Sequence, residues 1–261
     1  RKRLQPGTKS MVMVKAFSYG SGTYEIASLL EHHRVDYLAV AYADEGVALR
    51  KAGITMPIVV LNPEVQAFPS ILAYQLEPEI YSLSHFEHFR QAVDQHNGQQ
   101  AVPVHLMLDT GMHRLGFEQE ELPDLLQALS TFRQVQVASV FSHLVASDNP
   151  DEDAFTRQQI AAFQKMAGQV QEQLPYPVMR HILNTNGVLR FPEAQFEMVR
   201  LGIGFYGVDG TGQLADELTI PASLKTTISQ VKHLKPGATV GYGRKGRITK
   251  PTTIATLAIG Y

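Results

Sequence analysis

MVMVKAFSYGSG, residues 11–22, runs from an unbroken apolar stretch into a lysine and then a glycine-punctuated turn. Four apolar residues closed by Lys15 are too few for a helix and too apolar for a solvent-facing strand, so they predict a strand over 11–15 covered on both faces. Working outward, the same kind of run returns as YLAVA (37–41), PIVVL (57–61), EIYSL (79–83), PVHLML (103–108), VASVFS (137–142), RHILN (180–184) and MVRLG (198–202). Helical patterns separate them. Thr23 is placed to cap one helix and Asp44 another that stops before Gly53. Ser84 and Glu87 have capping-box spacing, and 151–173 is the longest amphipathic stretch.

Eight strand–helix units in about 210 residues predict an α/β fold, a (β/α)8 TIM-like barrel, because parallel strands need crossovers and right-handed crossovers close into a barrel. The pattern alone also admits an open doubly wound sheet. From Ala222 the periodicity changes. SLKTTISQVKHL (223–234), TVGYG (239–243) and TTIATLAIGY (252–261) alternate without helices, and Lys235-Pro236-Gly237 signals a turn. The expected division is a barrel over 1–218 and the N-terminal part of a mostly-β C-terminal domain over 219–261, truncated at both ends of the chain as read.

Net charge of −2 with scattered basic residues gives no electrostatic footprint for nucleic acid or an anionic membrane. No run approaches the roughly 18 apolar residues of a membrane span. The chain has no cysteine, which removes disulfides and thiolate chemistry and fits a reducing, cytoplasmic setting. No HExxH, Walker loop or paired-histidine spacing is present, so no metal site is expected.

In a (β/α)8 barrel the chemistry lies at the carboxyl ends of the strands. The first strand ends in Lys15, followed by Tyr19; the fifth runs into Asp109-Thr110-Gly111-Met112-His113-Arg114; the sixth ends in Ser142-His143; the seventh ends in Asn184-Thr185; the eighth carries Arg200 and Gly202. Each has an ordinary reading. A strand-end lysine either extends its ammonium to solvent or sits in a low-dielectric site as a nucleophilic amine. His143 is either a satisfied core histidine or a flat partner for an aromatic ligand. A buried arginine needs an acceptor, so Arg200 is held by a carboxylate or faces a ligand atom. Thr185, Gly202 and Ile203 either make two tight turns or offer a hydroxyl and N–H groups to a phosphate.

With these residues assembled, the chain resembles the alanine racemase family. The carrying motifs, in order, are VMVKAFSYGSG (12–22), LDTGMHRLGF (108–117), FSHLVASDNPDE (141–152), NTNGVLRFP (184–192), MVRLGIGFYGV (198–208), SLKTTISQVKHLKPGATVGYG (223–243) and AIGY (258–261). The first two also resemble racemase domains fused behind a cell-wall ligase. The resemblance implies pyridoxal 5'-phosphate as cofactor, carried on Lys15 as a Schiff base, and Lys15 and Tyr242 as bases on opposite faces of the substrate α-carbon. It implies that Tyr242 works in the other subunit of a head-to-tail homodimer. It places Tyr19, Thr185, Gly202 and Ile203 at the phosphate, Arg200 at the pyridine nitrogen, Arg114 near the phenolate oxygen and the substrate, His143 and Asn184 in the cofactor's surroundings, and Tyr261 near the substrate. The implied reaction is interconversion of L- and D-alanine, supplying D-alanine for peptidoglycan.

One position departs from the family. A lysine carbamylated to hold the arginine at 114 is frequent there, and this chain has Met107, so no carbamate is expected and Arg114 must be held by another anion or otherwise. Rival readings are a non-catalytic pyridoxal phosphate carrier on the same barrel, another barrel enzyme of this cofactor class such as a broad-specificity racemase, a decarboxylase or a D-threonine aldolase, and a cofactor-free barrel. The VGYG strand argues against the carrier, which is a barrel alone.

Overall fold

The computed structural model describes residues 2–96, 101–214 and 216–260. Tyr261 therefore lies outside the described residues. The chain forms two compact units, 1–220 and 221–261.

In the first unit eight parallel strands follow one another around a barrel: β1 (Lys9–Met13), β2 (Tyr37–Val40), β3 (Ile58–Val60), β4 (Glu77–Ile80), β5 (Val102–Met107), β6 (Val135–Phe141), β7 (Met179–His181) and β8 (Met198–Leu201). The order β7-β6-β5-β4-β3-β2-β1-β8 puts each strand beside its sequence neighbour and β8 beside β1. At the seam between β7 and β8, Arg200 N donates to Leu183 O at 2.9 Å. The open-sheet alternative is thereby set aside. Seven helices make the crossovers: α1 (Thr23–His32), α2 (Ala43–Lys51), α3 (Phe68–Ala73), α4 (Leu83–His96), α5 (Leu122–Thr131), α6 (Asp153–Gln173) and α7 (Thr185–Arg190).

Alternation along the strands sorts side chains between two environments. Val12, Val14, Leu38, Val40, Ile58, Val60, Leu106 and Val199 pack outward beneath the helices with Phe68, Phe86, Phe89, Phe117 and Phe163. Full burial of each such side chain contributes about 1.5–3 kcal/mol. Met11, Met13, Ala39, Val59 and Met198 form a separate cluster inside the barrel. The interior positions of the remaining strands are largely polar. Glu79, His105, Ser139, His181 and Arg200 are all buried there.

Several helix starts differ from the sequence expectation. Thr23 opens α1 but makes no cap; Gly22, at φ 95°, occupies that position. Asp44 lies inside the first turn of α2, and the capping carboxylate is Glu45, whose Oε2 accepts from the N–H of Ala41 at 2.7 Å and of Tyr42 at 3.2 Å. At α4 the hydroxyl that accepts is Ser82, from His85 N at 3.2 Å, not Ser84. Ser, Asp and Thr all satisfy the same rule at neighbouring positions, so a propensity argument cannot choose among them.

The second unit pairs β9 (Ile228–Leu234) antiparallel with β12 (Thr252–Leu257) and β10 (Thr239–Val240) antiparallel with β11 (Gly246–Arg247). The turn at Lys235-Pro236-Gly237 is closed by Ala238 N donating to Lys235 O, with Gly237 at φ 89°. Tyr242 opens a short turn beyond β10 and is 92% exposed.

Candidate active site at the barrel mouth

Beyond the end of β1 the backbone turns left-handed. Ala16, Phe17, Ser18 and Tyr19 have φ between 51° and 56°, a conformation costing roughly 1–2 kcal/mol per non-glycine residue. Three contacts hold it. Glu45 Oε1 accepts from Ala16 N at 2.7 Å, Ser18 N donates to Val14 O at 3.1 Å, and the Tyr206 hydroxyl donates to Met13 O at 2.8 Å. The strand itself stops at Met13, two residues short of the predicted end, so Lys15 lies off the strand, immediately before the strained segment. Strain of this kind persists where the surroundings over-determine it, which is common at functional sites.

Lys15 lines a cavity of about 610 Å³ at the carboxyl ends of the strands, together with Tyr19, Glu79, Met107, Arg114, His143, Asn184, Thr185, Arg200, Gly202 and Ile203. Of the barrel residues singled out from the sequence, Lys15, Tyr19, Arg114, His143, Asn184, Thr185, Arg200, Gly202 and Ile203 are on that wall, while Ser142 and the segment 109–113 are not. Tyr242 belongs to the second unit and is not among the lining residues.

Arg200, from the interior side of β8, is 5% exposed. Its Nη1 donates to His181 Nδ1 at 2.6 Å and to His181 O at 3.1 Å; Nη2 donates to the carbonyls of Ser142 and Ile182 and, at 3.3 Å, to His143 Nδ1. The sequence reading offered a carboxylate or a ligand as acceptor. In place of a carboxylate the structure supplies carbonyls and imidazoles, because β6, β7 and β8 end side by side. Burial lowers the Arg200 pKa to about 10, and Glu79 opposes the shift.

Those bonds fix proton positions. Because His181 Nδ1 accepts from a guanidinium, its Nε2–H is left to donate to Ser139 Oγ at 2.9 Å. Ser139 then donates to His105 Nδ1 at 2.6 Å, and His105 Nε2–H donates to Glu77 Oε2 at 2.7 Å. The line runs along the barrel interior from Arg200 to a carboxylate. Burial, followed by the charge of Arg200, keeps the His181 imidazole far below its ordinary range. His143 is lowered to about 3 by burial first, then by Arg200, Arg114 and Lys15. Both rings are therefore neutral near pH 7.

At the ends of β7 and β8, Asn184 Oδ1 accepts from Gly187 N at 2.9 Å and caps α7, which starts with Thr185. The Thr185 hydroxyl accepts from Gly202 N at 3.2 Å and from Gly204 N at 3.4 Å. A Cβ on Gly204 would come within 2.1 Å of Thr185 Cγ2, so this close approach requires glycine. The Tyr19 ring lies 4.8 Å from that of Tyr206, and a Cβ on Gly202 would sit 3.5 Å from the Tyr19 hydroxyl.

Glu45, Asn62, Glu79, Ser139, His181 and Tyr206 were not singled out from the sequence. Glu79 had a signal. The predicted strand began at residue 79, whereas β4 spans Glu77–Ile80, and this shift moves Glu79 from the floor of the barrel to its mouth.

A closed parallel barrel with a lysine beside a strained turn after its first strand and a buried arginine on its last, followed in the chain by a small antiparallel unit, has the organisation of the two-domain amino-acid racemases. Comparison with known proteins makes the family specific. Residues 1–210 match the family described as alanine racemase, N-terminal domain, and residues 222–261 match alanine racemase, C-terminal domain. The alanine racemase of Treponema denticola is 34% identical over all of this chain and 70% of its own length. Among solved structures, an alanine racemase of Clostridium difficile 630 superposes with a TM-score of 0.82 at 29% identity, covering all of this chain and 68% of that one. The alanine racemase of Bartonella henselae, described with covalently bound pyridoxal phosphate, gives 0.80 at 27% identity over all of this chain and 70% of that one. The chain belongs to the alanine racemase family.

Proposed function

We propose that this protein interconverts L- and D-alanine with pyridoxal 5'-phosphate as cofactor, Lys15 and Tyr242 exchanging protons with opposite faces of the substrate α-carbon. The observation that carries this reading is the gathering of Lys15, Tyr19, Arg114, Thr185, Arg200, Gly202 and Ile203 on the wall of one cavity.

The residues present fit the cofactor. The hydroxyls of Tyr19 and Thr185 and the backbone N–H of Ile203 are neutral donors suited to a phosphate, and the Gly202 N–H, which donates to Thr185 Oγ1 at 3.2 Å, would be shared between that hydroxyl and the phosphate. Lys15 supplies the amine. Arg200 has only N–H groups to offer a pyridine nitrogen. When bound, the cofactor stabilises negative charge at the α-carbon by delocalisation.

The chain's own residues do the rest. Lys15 takes or gives the α-proton on one face, and Tyr242, offered by a second copy of this chain in a homodimer, serves the other. Arg200, held by His181 and the carbonyls of Ser142 and Ile182, would offer the cofactor's ring nitrogen N–H groups and no acid, which would limit side reactions. His143, neutral and 3.3 Å from Arg200, adds a flat, uncharged wall. Arg114 is assigned to the cofactor phenolate oxygen and the substrate carboxylate. We assign the reaction to the cytoplasm, where D-alanine would supply peptidoglycan synthesis.

The test is racemisation of L-alanine by the full-length protein, read with a D-amino-acid oxidase. Borohydride reduction and peptide mapping must place the cofactor on Lys15. Tyr242→Phe is expected to abolish proton exchange from one enantiomer while sparing the other half-reaction. A colourless protein, or exchange untouched by Tyr242→Phe, overturns the assignment.

A further inference from the structure

Glu79 is a buried carboxyl that the proposed reaction leaves unused. It is 4% exposed, projects from the interior side of β4 and is the one acid among the described residues lining the cavity. Its Oε2 accepts from Asn62 N at 2.6 Å. Asn62 is itself in the left-handed region, at φ 51°, so the loop after β3 is bent at the residue that donates to the carboxyl.

The charges around Glu79 are unbalanced. Lys15, Arg114 and Arg200 line the same cavity, with Tyr19, Tyr42 and His143 as its other titratable groups. His105 is its register partner on β5, and Met107, two residues further along that strand, carries no charge. The Nη1 and Nη2 groups of Arg200 are already engaged with carbonyl and imidazole acceptors. Arg114 makes no hydrogen bond or ion pair among the described residues, although its charge and that of Arg200 both act on Glu79. Burial outweighs those cations and the Asn62 N–H and raises the Glu79 pKa to about 7. A buried carboxyl retained in a cationic cavity, with Asn62 holding one oxygen, is built to meet a cation.

We infer that Glu79 is the positioning residue for Arg114, the internal anion that draws its guanidinium into the cavity in a chain with no charge at Met107. The inference rests on the reading of Arg114 as a group beside cofactor and substrate.

The experiment is a double-mutant cycle in the cofactor-loaded, full-length protein, with chloride as probe. Glu79→Gln keeps an oxygen for Asn62 N–H and removes the charge. It is expected to lower kcat/KM for alanine by about tenfold, and to have little further effect in an Arg114→Gln background, since residues that act through one another are not additive. Chloride should bind Glu79→Gln, detected by broadening of the chloride-35 resonance, with restoration of part of the lost rate, and should bind neither wild type nor Glu79→Gln/Arg114→Gln. Glu79→Asp, which keeps the charge, should behave near wild type, and Glu79→Ala, which removes it, replaces Glu79→Gln in the cycle if that variant fails to fold. Additive losses in the two backgrounds, or chloride binding indifferent to Arg114, overturn the inference. Chloride binding is read without turnover, so a protein that binds chloride as expected but does not racemise alanine refutes the function while upholding the role of Glu79.

Discussion

Arg200 Nη1 donates to His181 Nδ1 at 2.6 Å, and that bond sets the direction of every hydrogen bond along the barrel interior as far as Glu77. Ser139 is the relay, accepting from His181 and donating to His105. Ser139→Ala leaves two buried ring nitrogens without a partner, each at a cost of about 1–3 kcal/mol. Urea unfolding is expected to show a loss of at least about 1 kcal/mol with unchanged m-value. A variant as stable as wild type would mean that water replaces the hydroxyl and the line is not a structural unit.

Glu45 joins two segments that the sequence separates widely. Its two oxygens accept from Ala16 N on one side and from Ala41 N and Tyr42 N on the other, so it caps α2 while restraining the left-handed turn next to Lys15. Glu45→Ala should cost about 1–2 kcal/mol as a lost cap. It should also release the cofactor faster, because the strained turn loses a restraint. Stopped-flow cofactor exchange after loading measures this, and a stability loss with no change in release rate would confine Glu45 to capping.

Two glycine-to-alanine substitutions should move in opposite directions. At Gly204 the new methyl collides with Thr185, and overpacking costs about 1–3 kcal/mol; cofactor affinity should fall at least about tenfold as Thr185 is displaced. At Gly168, inside α6, nothing lies within 4 Å of the new Cβ. Gly168→Ala should stabilise by about 0.5–1 kcal/mol through helix propensity alone. Thermal melts and equilibrium cofactor titrations decide both.

His143 makes stability depend on acid. Its folded pKa of about 3 lies below the ordinary histidine value of 6.5, so below pH 6.5 the unfolded chain binds a proton that the folded chain refuses. Stability from this group is complete above 6.5 and is lost as pH falls towards 3. Glu79, raised from 4.5 to about 7, runs the other way, its contribution being complete below 4.5 and lost as pH rises through 7. His143→Gln is therefore expected to lower the acid-unfolding midpoint by about half a pH unit or more. An unchanged midpoint would place the acid sensitivity elsewhere, with His181 the next candidate.

The apolar runs and their helical spacers made the barrel legible, because a strand covered on both faces must be apolar at successive positions whatever its neighbours are. The seven motifs likewise made the family legible. Caps were less so. Thr23, Asp44 and Ser84 are good caps by type, but Gly22, Glu45 and Ser82 occupy the decisive positions.

What the sequence by itself determined was the set of strands, their order and the polar residues after them, since these follow from local periodicity. Which side of the barrel wall each residue faces depends on a register good to one residue, and only the tertiary structure decided that. A two-residue difference at β4 carried Glu79 to the mouth, and the stop at Met13 put Lys15 just ahead of a left-handed turn. Three of the five acceptors of Arg200 are carbonyls at or just past the ends of β6 and β7, and a carbonyl has no letter in the sequence. They converge because eight strands of one handedness close on themselves, which brings residues 142, 181, 182 and 200 within a hydrogen bond of one another.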